Sequence, residues 1–370
     1  MPRPRAATAY AVVTGGGTGG HVYPALAVAD ELIRHGHPPD EIRFVGARRG
    51  IEAVAVPAAG FEVEVLPGRG FRRRATLAAA RDNLLAVADA ARAVVAARRI
   101  LRRTRPRVVF GVGGYASLPC IVAARLARVP TVVHEQNAAP GLANRLAVRL
   151  GATPAVSLPG TPLPGAVLTG NPVRRSITDV DRHADRDHPV VLVFGGSLGA
   201  GRLNDAALGL FDHWRDRPDL TGVHVTGRRD YAACATRLAA LRRPDDQLHF
   251  ELVEYEDHME RQYARATVAL TRAGAVTVAE LAVVGLPAVL VPLPGAPGDH
   301  QTRNADALAD AGAAVRVPDA DATPARLADE LDRLLGDPAR LDAMSHAART
   351  LGRPDAAARV AALVEATARA

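Results

Sequence analysis

The chain has 370 residues, 48% of them hydrophobic and 23% charged, with two cysteines, Cys120 and Cys234. That is length enough for two domains with sizeable cores, and it excludes a disordered chain, a fibrous one and a disulfide-stapled module. All 46 basic residues are arginine, which removes Schiff-base chemistry and the Walker lysine; the net charge of +7 points to phosphate-bearing or anionic-surface partners, and 4% aromatic content argues against nucleic acid.

Short β-branched runs alternate with Ala/Leu-rich helical stretches from end to end, the pattern of βαβ units on a parallel sheet. Strands are predicted near residues 10–14, 42–45, 62–66, 108–112 and 131–134. The rhythm restarts at 190–194 and continues through 222–226, 249–253, 268–271, 288–291 and 314–317. Between the two series, the polar stretch 174–188 has little to bury and reads as a hinge. The expected division is 1–175, 176–353 and a closing helix over 354–370 that packs back on the first domain. No spanning segment is expected. The most apolar stretch, 276–297, is broken by Glu280, Pro287, Pro292 and Pro294.

Each half opens with strand, glycine loop and helix. The loops are Gly15-Gly16-Gly17-Thr18-Gly19-Gly20-His21 and Gly195-Gly196-Ser197-Leu198-Gly199, and a third, Gly111-Val112-Gly113-Gly114-Tyr115, follows another strand. Glycine lets backbone N–H groups close on an anion, and a helix N-terminus adds partial positive charge, so these turns suit phosphate or diphosphate; a purely structural tight turn is the alternative. Gly15, Gly17 and Gly20 match the dinucleotide spacing, but Gly46, Ala47, Arg48 and Arg49 follow the second strand, where a nicotinamide ribose wants an acid.

His21 stands at the mouth of its helix. Imidazole is suited to take a proton from an attacking hydroxyl, although an isolated histidine is more often a surface or satisfied core residue. In the second half, Arg272-Ala273-Gly274-Ala275-Val276 leads from a strand end into a helix whose first amides can hold a phosphate. Glu280 follows, to reach a ribose or to lie on an exposed face. The polar run Asp299-His300-Gln301-Thr302-Arg303-Asn304 suits sugar hydroxyls, as it suits an ordinary loop.

The stretches GGGTGGHVYPALAVADEL, GVGGYASLP, HEQNAAPGLANRLA, TGNPVR, VFGGSLGA and RAGAVTVAELAVVGLPAVLVPLPG followed by DHQTRNA occur in this order from residue 15 to 305. Together they resemble the MurG family, UDP-N-acetylglucosamine transferases that make the lipid-linked disaccharide of peptidoglycan. The resemblance implies the α/β GT-B fold, two Rossmann-like doubly wound domains with an interdomain cleft, the second binding the sugar nucleotide and the first the lipid acceptor. It implies inverting transfer of N-acetylglucosamine from UDP-GlcNAc to the C4 hydroxyl of undecaprenyl-diphosphoryl-MurNAc-pentapeptide (lipid I), forming lipid II. Neither a metal nor a cofactor is expected.

Carried over by position, Ser197 and Arg174 approach the nucleotide phosphates, and Ala275 and Val276 give backbone amides in a stretch continuing through Thr277, Val278 and Ala279. Glu280 meets the ribose, Gln301 the sugar hydroxyls, and the backbone at Glu256 the uracil. Thr18, Gly19 and Gly20 line the cleft, with Asn137 near the donor sugar. His21 is the expected general base, with Glu135 and Asn137 the runners-up for chemistry or acceptor positioning, Glu135 either orienting a hydroxyl or capping its loop. The family usually has serine at Ala273, glutamine at Leu198 and His300, and an aliphatic residue at Glu256.

A lipid-linked acceptor implies a peripheral enzyme at the cytoplasmic face of the cell membrane, with an anionic surface and cell-wall synthesis proteins as partners. Phe71-Arg72-Arg73-Arg74 with Leu77, Leu84 and Leu85 is the expected membrane patch, the alternative being a solvated basic turn. Two competing readings are a UDP-sugar 2-epimerase of the same architecture and a non-catalytic nucleotide-sugar-binding scaffold. Neither makes a disaccharide.

Overall fold

A strand packed on both faces has no polar side to show, so parallel sheets read as unbroken apolar runs. The computed structural model describes residues 8–47, 50–67, 77–114, 116–183, 185–196 and 199–369, with backbone alone for 77–88. In it β1 (Ala11–Thr14) is buried throughout. The two-residue period of the strand sends Ala11 and Val13 into a core with Val28, Leu32 and Phe110, and Val12 into the opposite core with Ala97 and Val109.

Around β1 run β2 (Ile42–Ala47), β3 (Val63–Leu66), β4 (Val108–Gly111), β5 (Thr131–Glu135), β6 (Thr153–Val156) and β7 (Val167–Leu168), in the order β3-β2-β1-β4-β5-β6-β7. All pairings are parallel. Both β6 and β7 are additions to the predicted strands. β6 is four residues with Pro154 among them and β7 is two residues, too short for a hydrophobic period to register.

The second series repeats the plan with β8 (Val190–Phe194), β9 (Thr221–Val225), β10 (His249–Val253), β11 (Val268–Thr271), β12 (Ala288–Leu290) and β13 (Ala314–Arg316). Their order is β10-β9-β8-β11-β12-β13, again parallel. Its core gathers Val191, Val193, Leu203, Phe211, Trp214, Leu270, Leu327 and Leu331. In each sheet the order reverses beside the first strand, between β1 and β4 and between β8 and β11. That is where a doubly wound sheet binds its ligand, beyond the carboxyl ends of the strands.

The chain divides into two units, 1–174 with 355–370, and 175–354. The helix Ala356–Arg369 belongs to the first, where Val360, Ala361 and Val364 are fully buried in the core that holds Val13 and Val28. One expectation is corrected: the 174–188 stretch, at whose start the boundary between the units falls, is not without burial. Ile177 is fully buried, the Arg182 guanidinium donates to the carbonyls of Gly285 and Ala266, and the His183 N–H donates to the Ala264 carbonyl at 2.9 Å. Its polar composition hid these anchors because their partners lie about 80 to 100 positions away.

Candidate functional site

In the first unit β1 runs into Gly15-Gly16-Gly17, and the loop is held by Glu52, a residue that sequence reasoning passed over. The Glu52 carboxylate, 2% exposed, accepts the N–H of Gly17 and the N–H of Ala47, both at 2.8 Å. Gly16 has φ +146° and lies so close to this carboxylate that any Cβ would collide with it. The expectation of a phosphate cradle is therefore corrected in part. The Gly17 amide is taken by an anion from the chain itself. Glu52 was missed because it opens the helix Glu52–Ala58, beyond the position where a ribose-binding acid is sought.

The helix Gly19–Arg34 follows the loop, with Gly19 buried and Gly20 beside Thr18. Thr18 is exposed and its Oγ1 lies 3.2 Å from Nδ1 of the half-buried His21. A proton on Nδ1, shared with Thr18, leaves Nε2 as the basic nitrogen. A Cβ on Gly113 would stand 3.3 Å from Nε2, so the missing side chain in the third glycine loop lets the imidazole lie against that loop. Arg174, the last residue of this unit's first stretch, sets its guanidinium 4.5 Å from the ring centroid of Tyr23, on the same helix as His21.

At the end of β5, Glu135 is 2% exposed and faces its own loop. It accepts the Asn137 N–H at 3.0 Å, the Asn137 amide at 3.2 Å, the Gly141 N–H at 2.9 Å and the Asn144 amide at 2.8 Å. Such a carboxylate builds the loop that carries Asn137. Next to it, burial pushes His134 down to about 4. Its Nε2 donates to the Gly170 carbonyl at 2.9 Å while Nδ1 accepts from Gln136 at 3.2 Å, the pattern of a neutral ring. Burial pushes the Cys120 thiol up to about 12, so it is no nucleophile.

In the second unit Ser197 and Leu198 lie outside the described residues. So do Arg48, Arg49, Phe71, Arg72, Arg73, Arg74 and Tyr115, and the side chains of Leu77, Leu84 and Leu85. Gly274 caps the helix Ala275–Val284. Its first internal hydrogen bond runs from the Val278 N–H to the Gly274 carbonyl at 2.9 Å. The amides of Val276 and Thr277 thus point out of the N-terminus, as an anion seat requires. Val278 is buried and Ala279 lies further inside the helix, so the outward amides end at Thr277, short of the expected stretch.

Glu280 is not on an exposed face. It is 6% exposed and accepts the hydroxyl of the fully buried Tyr263 at 2.9 Å. Gln301 accepts the Leu293 N–H at 2.9 Å, and His300 Nδ1 lies 2.8 Å from the Pro297 carbonyl, so both side chains shape the loop before the helix His300–Ala309. Asn304, fully buried, donates to the Ala273 carbonyl at 3.2 Å and ties that helix to the loop leading into Ala275. Glu256 turns its carboxylate to the His258 N–H at 2.8 Å and to the Gln262 amide at 2.6 Å, beside the start of the helix Met259–Arg265. An acid thus fits where the family has an aliphatic residue. Among the described residues no group of three or more His, Cys, Asp and Glu side chains is placed to hold a metal.

Residues 11–153 match the glycosyltransferase family 28 N-terminal domain and residues 190–360 the family 28 C-terminal domain. The UDP-N-acetylglucosamine--N-acetylmuramyl-(pentapeptide) pyrophosphoryl-undecaprenol N-acetylglucosamine transferase of Alkalilimnicola ehrlichii is 45% identical over 358 residues, 95% of this chain and 96% of its own. Its namesake in Anaeromyxobacter dehalogenans is 41% identical, covering 95% and 91%. The crystal structure of Acinetobacter baumannii MurG matches with a TM-score of 0.75 at 30% identity, over 97% of this chain and 99% of that one. A UDP-N-acetylglucosamine 2-epimerase shares the fold with a TM-score of 0.62 at 14% identity, covering 95% of each. With both family 28 domains in place on two Rossmann-like units, the chain belongs to the MurG family of GT-B glycosyltransferases.

Proposed function

We infer that this chain transfers N-acetylglucosamine from UDP-GlcNAc to the C4 hydroxyl of lipid I, with inversion, to form the lipid II of peptidoglycan biosynthesis. The observation that carries the reading is 45% identity to a transferase of this name, spread over 95% of the chain.

The second unit takes the donor. As the bond from the anomeric carbon to UDP breaks, charge grows on the diphosphate, and the Val276 and Thr277 amides at a helix N-terminus, with Arg174 and Ser197, stabilise it. Glu280, held by Tyr263, accepts from the ribose hydroxyls, and Gln301 meets the sugar. In the first unit His21 Nε2 takes the proton of the C4 hydroxyl while that oxygen attacks, with Thr18 holding the ring. Glu135 acts through the Asn137 loop, because its carboxylate oxygens are already engaged by that loop.

A lipid-linked acceptor brings the enzyme to the cytoplasmic face of the membrane. The net charge of +7 supports an anionic surface as partner, and among the described residues no helix is long and apolar enough to cross a membrane. Incubation of the purified protein with UDP-GlcNAc and acceptor, followed by UDP release with UDP-GalNAc as control, tests the reading. Acceptor-independent conversion of UDP-GlcNAc into another UDP-sugar, as by a 2-epimerase, or equal rates with both donors, rejects it. Sedimentation with neutral and anionic vesicles, comparing wild type with Arg72, Arg73 and Arg74 changed to Gln, tests the membrane patch.

A further inference from the structure

On the second sheet, the end opposite the glycine loop carries a pocket that sugar transfer does not use. It lies where Pro189, Thr267 and Pro287 lead into β8, β11 and β12, and it encloses ≈ 200 Å³. Three arginines, Arg182, Arg186 and Arg349, line it together with one acidic residue, Asp342.

Each arginine arrives differently. Arg186 pairs with Asp342. Arg182 is anchored by the carbonyls of Gly285 and Ala266, and its Nε is buried without a hydrogen-bond partner. Arg349 is exposed, makes no ion pair among the described residues and lies over Gly285, whose φ is +68°; a Cβ there would stand 2.7 Å from Arg349 Nε. Glycine at this helix end thus lets two guanidinium groups close on one peptide. Three positive charges against one negative leave an excess of two. Burial, with Arg349 and Arg186 nearby, pushes Arg182 down to about 10, as expected where like charges crowd.

We propose that this pocket binds a small free oxyanion of the inorganic phosphate class. The half-buried Arg182 and the exposed Arg186 and Arg349 bring more positive charge to the pocket than Asp342 balances, and planar guanidinium forks match the oxygens of phosphate. The volume, ≈ 200 Å³, leaves room for an oxyanion of phosphate size with water beside it. Bound there, the anion ties the 182–186 segment to the helix Pro338–Leu351.

The test is thermal unfolding of the full chain with UDP saturating, so that the donor's phosphate positions are filled, comparing millimolar inorganic phosphate with chloride at equal ionic strength. Wild type is expected to gain a phosphate-specific rise of a few degrees, and titration calorimetry to give a saturable isotherm. Arg349→Gln, an exposed change, is expected to weaken phosphate binding about tenfold or more, the scale of one charged hydrogen bond, with turnover unchanged, and Arg349→Lys to recover part of the loss. No phosphate-specific rise in wild type, or an equal rise in Arg349→Gln, overturns the proposal.

Discussion

The N–H of Gly17 donates to the carboxylate of Glu52 at 2.8 Å, so a glycine loop shaped like an anion seat already holds an anion of its own chain. Glu52→Ala leaves the amides of Gly17, which is exposed, and Ala47, which is half-buried, to water, at a cost of about 0.5–1.5 kcal/mol for each hydrogen bond lost. Because this loop precedes Thr18 and His21, kcat is expected to fall about tenfold or more while the donor dissociation constant stays put. Glu52→Gln, which keeps one acceptor oxygen, is expected to retain more of both. Urea unfolding with steady-state UDP release measures the two effects, and full turnover in Glu52→Ala would show that the loop needs no such tether.

Removing the imidazole is expected to cost far more. His21→Ala should lower kcat by about 10²–10⁴-fold, the usual contribution of a general base, with UDP-GlcNAc binding intact. Thr18→Val, which removes only the partner at 3.2 Å, should cost less and shift the pH profile of kcat. Calorimetric donor binding beside the rate separates these outcomes, and a His21→Ala protein with near-normal turnover removes His21 from the mechanism.

In the second unit, Tyr263→Phe deletes one hydroxyl, which now donates to Glu280 at 2.9 Å. A hydrogen bond to a charged group contributes about 1.5–3 kcal/mol. Loss of aim at Glu280 should raise KM for the donor, with a smaller effect on kcat. Glu280→Gln should reproduce the KM effect with the Tyr263 hydroxyl still in place. If Tyr263→Phe leaves KM unchanged, Glu280 is oriented by other groups.

Acid is expected to destabilise the fold through two histidines. Burial pushes both His134 and His224 from 6.5 down to about 4. Above pH 6.5 both are neutral, folded or unfolded, and their contribution is fully kept. As pH falls from 6.5 toward 4 the unfolded chain takes up protons that the folded chain refuses, so stability drops by on the order of 3 kcal/mol per histidine. Urea midpoints across this range should fall, and His224→Gln, whose side chain can still donate toward Asn204, should flatten the slope. An unchanged slope in that variant assigns the acid sensitivity elsewhere.

Removal of residues 355–370 uncovers the face where Val360, Ala361 and Val364 are fully buried. At roughly 1.5–3 kcal/mol for each buried valine, the loss is a large part of an ordinary domain's stability of about 5–15 kcal/mol. The truncated chain is expected to melt early or aggregate. Val364→Ala should cost about 2 kcal/mol at roughly 0.8 kcal/mol per buried methylene plus the cavity left behind. Thermal melts followed by circular dichroism check both.

The strands of β1, β4, β8 and β11 were legible because parallel strands buried on both faces carry contiguous apolar residues, and the glycine loops because backbone at positive φ needs glycine. β6 and β7 were not, since neither repeats a pattern long enough to exceed chance. Among the site residues, His21 and Gly274 could be placed from their positions beside a strand end and a helix start. Glu135 could not be separated from a loop cap, and the roles of Glu256 and Asn304 depended on neighbours that the local sequence does not name.

By itself the sequence determined the alternation of strands and helices, the two glycine-loop halves and the family, because these reside in local composition and short-range spacing. Only the tertiary structure decided that Glu52 would cap Gly17 across 35 positions, that Tyr263 would hold Glu280 across 17, and that Arg182 would reach Gly285 across 103. A residue's chemistry states what it can donate or accept. Which partner it meets follows from where the folded chain returns, and burial then makes that pairing obligatory by removing water as the alternative.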